Sequence, residues 1–121
     1  MEEDRRVALV TCLIDMRFSH GDVDRAVLLL LSAAGRTEAK PGCQACSVGR
    51  NAGEESQVRY SESWDSEAAF QRHVQSEEFL HVLMAMDMCC EEPQVITGTL
   101  SGRSGIAYLR ELRTKRGRSA T

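Results

Sequence analysis

"QVRYSESWDSEAAFQRHVQSEEF" (Gln57–Phe79) changes its period half-way along. Up to Trp64 it alternates, with Val58, Tyr60, Glu62 and Trp64 on one face and Gln57, Arg59, Ser61 and Ser63 on the other. That is a strand with one covered side. After Asp65, a good N-cap residue, Ala69 and Phe70 mark the inward side of a helix. Ser76 reads as a second N-cap, with Glu77 and Glu78 placed where a helix dipole favours negative charge. Phe79, Leu83, Met86 and Cys90 then recur as an apolar stripe. The stretch therefore predicts a strand feeding a helix that is broken or bent near Gln75.

Upstream, "VALVTCLIDMRF" (Val7 to Phe18) carries apolar residues on both alternating sets and reads as a strand covered on both faces. "SHGD" breaks it. Asp22 caps a helix in which Val23, Val27, Leu30, Leu31 and Ala34 share helical spacing, and "KPG" at 40–42 ends that helix. "CQACSVG" (Cys43 to Gly49) is a second strand, joined to the third by a turn through "RNAGEES". Downstream, "QVITGTLSG" (Gln94 to Gly102) is the fourth strand, and "GIAYLRELR" is open between a short helix and an extended arm.

The order is β–α–β–β–α–β, which predicts an α+β, ferredoxin-like domain with both helices on one sheet face and an antiparallel central hairpin. Right-handed helical crossovers would join parallel neighbours. One layer of helices leaves the opposite sheet face bare, and a second copy of the chain is the expected cover.

All 121 residues fit a single domain, with a core at about 5–102 and a basic arm or tail at 103–121. The formal net charge is −3; the last 19 residues hold six basic residues against Glu111, so +5, leaving −8 for the rest. A basic tail without an aromatic after Tyr108 gives little for nucleic acid to stack on, and no nucleic-acid partner is assigned. No apolar run reaches the roughly 20 residues of a membrane helix. The start "MEEDRR" has no secretory character, and five cysteines cannot close into intramolecular pairs; a cytoplasmic protein is expected. Cys43 and Cys46 in "CQAC" with Cys89 and Cys90 invite a zinc reading. Residues three apart on a strand face opposite ways, so no metal site is assigned.

"PGC" before the second strand, with "YSESWDSEAAFQRHVQSEEF" across the third strand and broken helix, resembles the antibiotic biosynthesis monooxygenase domain. This is a dimeric α+β barrel group that includes quinol monooxygenases and cofactor-free oxygenases of aromatic polyketides. The resemblance covers about residues 5–102 and implies a homodimer with a cavity between sheet and helices. It also implies a small aromatic substrate, a quinol or polycyclic phenol, oxidised by dioxygen without a cofactor. His73 and Glu62 match positions expected to be catalytic. Trp64, with Tyr60, Phe79 and Leu83, is expected to bind substrate. An imidazole can take a phenolic proton, a carboxylate can orient it, and an indole offers a stacking surface. The haem ligand of haem-degrading relatives falls near Leu83, so no haem is expected. The competing reading is a dimer that keeps the fold without the reaction, since no lysine or arginine lies within Tyr60–Trp64 to stabilise an oxyanion.

Overall fold

The computed structural model describes residues 5–119. The elements are β1 (Arg5–Arg17), α1 (Val23–Glu38), β2 (Cys43–Asn51), β3 (Glu54–Trp64), α2 (Glu67–Val74), α3 (Glu77–Asp87), β4 (Gln94–Ser104) and α4 (Ile106–Ser119). One four-stranded sheet has the order β2-β3-β1-β4, and every neighbouring pair is antiparallel. The fold is ferredoxin-like, with one correction to the expected pairing. The strands joined by a helical crossover are not neighbours: β3 lies between β1 and β2, and β1 lies between β3 and β4. Each crossover steps over one strand, so parallel partners never touch.

Alternation assigns the faces. Cys12, Ile14 and Met16 of β1, Phe18 just after it, and Val58, Tyr60, Glu62 and Trp64 of β3 are buried under the helices. Val23, Ala26, Leu30 and Ala33 of α1 and Phe79, Val82 and Ala85 of α3 complete that core. β1 is covered on this face alone. Leu9 and Leu13, on the other face, stay half-exposed.

Helix α2 starts one residue later than Asp65 suggests. Ser66 is the N-cap, its hydroxyl accepting from Ala69 N at 3.1 Å. Ser76 caps α3 as expected, accepting from Phe79 N at 3.4 Å. The segment after β4 is a helix, α4, which settles the open reading of "GIAYLRELR".

Two local irregularities position the site. Gly42, with φ +89°, carries the α1–β2 turn against the start of α2, where its carbonyl accepts from Asp65 N at 2.8 Å. A Cβ there would lie 2.8 Å from Ala69 Cβ and 2.9 Å from Asp65 Oδ1, so only glycine fits. In β2, Cys43 pairs with Trp64, Ala45 with Ser63 and Cys46 with Glu62, leaving Gln44 as an extra bulge residue. Cys43 and Cys46 therefore share the helix-facing side, against the expectation that they diverge.

Candidate functional site

Strand β3 delivers Tyr60, Glu62 and Trp64 to the same face, and α2 lays His73 over them; all four side chains are buried. Glu62 is the hub. Its Oε1 accepts from Trp64 Nε1 at 2.9 Å, and its Oε2 accepts from the Tyr60 hydroxyl and contacts His73 Nε2 at 2.6 Å. A carboxylate taken from water costs several kcal/mol unless its lone pairs are satisfied. Three protein donors supply that satisfaction. The Tyr60 oxygen in turn accepts from Cys46 Sγ at 3.2 Å.

The rings hold the imidazole in place. Trp64 stacks obliquely on His73 with centroids 4.8 Å apart and planes at 33°, and Phe79 meets it edge-on at 5.5 Å. The outer nitrogen, Nδ1, faces Lys40 Nζ at 3.2 Å and Ser76 Oγ at 3.5 Å. Lys40 comes from the α1–β2 turn and pairs with Glu78 Oε1 at 2.7 Å. The hydrogen bond from Lys40 holds the Glu78 carboxyl below its ordinary value.

Burial dominates the remaining electrostatics. It pushes the Cys46 thiol up to about 12 and the Cys12 thiol up to about 11, with the Glu62 charge adding to both. The Tyr60 phenol is raised by burial first and then by Glu62. These groups stay protonated at neutral pH, and Cys46 and Tyr60 serve as donors.

Of the residues expected to form the site, Tyr60, Glu62, Trp64, His73 and Phe79 come together. Leu83 does not join them: 43% exposed, it lines a surface cleft at the α2–α3 elbow with Val74, Gln75, Ser76, Glu77 and Leu80. Two further clefts lie near Asp15 and Gln57, one against Glu91 and Glu92, the other against Arg50 and Arg59. None of these three is lined by Tyr60, Glu62, Trp64 or His73. The sequence reading missed Lys40, Glu78 and Cys46 as members of the cluster. "KPG" showed only where α1 ends, and nothing local signals that the turn folds onto α2. Among the described residues no cluster of histidine, cysteine and carboxylate side chains is arranged to hold a metal. No described helix is long and apolar enough to cross a membrane.

The family model for antibiotic biosynthesis monooxygenase matches residues 9–83, which span β1 through most of α3. The chain belongs to the antibiotic biosynthesis monooxygenase family. Solved structures agree on the fold. A Shewanella oneidensis protein is 19% identical with a TM-score of 0.70, covering 83% of this chain and 97% of its own. A conserved protein from Methanosarcina mazei Go1 is 15% identical with a TM-score of 0.69, covering 76% and 92%. A structure described as an antibiotic biosynthesis monooxygenase is 17% identical with a TM-score of 0.66, covering 74% and 95%. Among curated proteins none matches the chain. The matched part of the monooxygenase family domain includes all six residues expected at the site, whereas β4 and α4 lie beyond it.

Proposed function

We propose that this family member is a cytoplasmic, homodimeric monooxygenase that oxidises a quinol or polycyclic phenol with dioxygen and no bound cofactor. The observation that carries this reading is the Glu62–His73 contact of 2.6 Å inside an aromatic enclosure. It has the form of a carboxylate-oriented base: one ring nitrogen is bound by Glu62, and the other, beside Lys40 and Ser76, receives the proton when a substrate hydroxyl takes their place. Deprotonating a phenol gives an electron-rich anion, and the electrons that reduce dioxygen come from that substrate. One oxygen atom is retained in the product and the other leaves as water.

Access runs along the α2–α3 elbow. Ser76 touches His73 Nδ1 and also lines the elbow cleft, whose apolar wall is Val74, Leu80 and Leu83. At about 290 Å³ that cleft is at the small end for ligand pockets, roughly 300–1,000 Å³, and suits one or two fused rings. In this reading Leu83 binds substrate at the entrance, while Trp64, Tyr60 and Phe79 hold the base pair in position.

Oxygen uptake measured with a panel of hydroquinones and polycyclic phenols tests the proposal. We expect uptake with at least one substrate, reduced by ~10²-fold or more in His73→Ala, the scale of a lost general base. No uptake with any member, or uptake unchanged in His73→Ala, would refute it. A second reading, a non-catalytic dimer of the same fold, is favoured by the burial of the cluster, which lines none of the three clefts described above. Absence of uptake together with a stable dimer is its expected result.

A further inference from the structure

The structure assigns Lys40 as a positioning residue that selects Nδ1 of His73 as the proton-accepting nitrogen and supplies the cation for the substrate's oxyanion. The assignment follows from the inventory of donors and rests on the reading of His73 as a base. An ammonium group has three N–H donors and no acceptor. Lys40 pairs with Glu78 Oε1 at 2.7 Å. Facing His73 Nδ1 at 3.2 Å, it can only donate, so Nδ1 presents a lone pair. The ring proton then sits on Nε2 and donates to Glu62 Oε2 at 2.6 Å.

The hydrogen bonds that run from Cys46 to Glu78 acquire directions. Cys46 donates to Tyr60, Tyr60 to Glu62, His73 to Glu62, and Lys40 to both His73 and Glu78. Glu62 and Lys40 bracket the imidazole from opposite sides, each fixing one of its nitrogens.

The Lys40 side chain is 25% exposed, and its pairing with Glu78 gives it an anchor that does not depend on the ring. When a phenol O–H replaces the ammonium at Nδ1, its proton passes to Nδ1 and the imidazolium is held by Glu62. The phenolate oxygen is then left beside the displaced ammonium, a preorganised cation where negative charge develops. The missing cation of the Tyr60–Trp64 strand is thus provided from a distant turn. Gly42 brings that turn to the site, since only a residue without a Cβ lets it approach α2.

Ring-nitrogen ¹⁵N NMR of the full-length protein at neutral pH tests this without any turnover. The imidazole signals come from His20, His73 and His81, and those of His73 are the ones lost in His73→Gln. We expect wild type to carry its ring proton on Nε2 with a bare Nδ1. Lys40→Arg, another donor-only cation, should keep that pattern. Lys40→Met should let a ring proton appear on Nδ1, because no donor-only group then faces that nitrogen and Ser76 Oγ, 3.5 Å away, can accept from it. A wild-type proton on Nδ1, or a Lys40→Met pattern equal to wild type, overturns the assignment. The wild-type spectrum alone can overturn it, so the test does not depend on how well the methionine variant folds. Because no substrate is needed, this result and the oxygen-uptake result can fail separately.

Discussion

Tyr60 shows how the cluster trades burial against hydrogen bonding. Its hydroxyl is one of three donors to Glu62 and the acceptor for Cys46. Tyr60→Phe leaves the ring's packing intact but strips a buried carboxylate of one donor and a thiol of its acceptor. The expected cost is about 1–3 kcal/mol, read as a lower urea midpoint at unchanged slope. Alkaline titration probes the same residue. Its folded pKa is raised, so the folded protein holds this proton after the unfolded chain, near pH 10, has released it. The associated stability is full below that unfolded value and is lost as pH rises. The Cys12 and Cys46 thiols, at about 11 and 12 when folded against 9.0, act in the same direction from about pH 9 upward. We expect a single cooperative alkaline transition in which tyrosinate absorbance from Tyr60 appears only as the chain unfolds. A gradual tyrosinate signal from both tyrosines in folded protein would contradict it. Thiol reactivity follows burial: Cys90, exposed in the α3–β4 connection, should be alkylated in native protein, and Cys12 and Cys46 only after denaturation.

Among the elements, the α1–β2 turn has the least freedom. Gly42→Ala places a side chain at positive φ and within 3 Å of both Ala69 and Asp65. The backbone preference costs about 1–2 kcal/mol and the overlap about 1–3 more. A loss of about 2–5 kcal/mol in chemical denaturation is expected, and one below 1 kcal/mol would show that the turn can move aside. Ser66→Ala, which removes the α2 cap, should cost about 1 kcal/mol in the same measurement. These elements also mark how far sequence could be read. The change from alternation to helical spacing near Trp64, the break at Gln75 and the Ser76 cap are local patterns, and all three are found. The convergence of Tyr60, Glu62 and Trp64 follows from a period of two. The bulge at Gln44 was invisible because one inserted residue leaves no compositional mark, yet it reverses the relation of Cys43 to Cys46. Lys40 was invisible for a different reason: its contact spans 33 residues of sequence and depends on a turn angle set by Gly42. Asp65 and Ser66 are both good caps, and only tertiary packing chose between them.

At the scale of the whole molecule, the uncovered side of the sheet remains to be accounted for. Register places Leu9 opposite Leu100 and Leu13 opposite Ile96, four apolar side chains grouped on β1 and β4. Ile96 and Leu100 are 65% and 55% exposed. On the same face β3 contributes Ser61, Ser63 and Arg59, which pairs with Asp15 of β1, so the apolar patch is bounded on one side by polar groups. An apolar centre with a polar rim is the composition of an interface between copies, and burying it excludes water from side chains that the helices cannot reach. A twofold arrangement would set each patch against its twin. Sedimentation at micromolar concentration should therefore give twice the subunit mass. Ile96→Lys or Leu13→Arg puts two like charges near the axis of the pair, and either should weaken association by at least tenfold. The helix-covered core, on the opposite side of the sheet, should keep its thermal transition in those variants. A wild-type protein that sediments as a folded single subunit would show that the exposed leucines and isoleucine are tolerated in water and that no second copy is needed to cover the sheet.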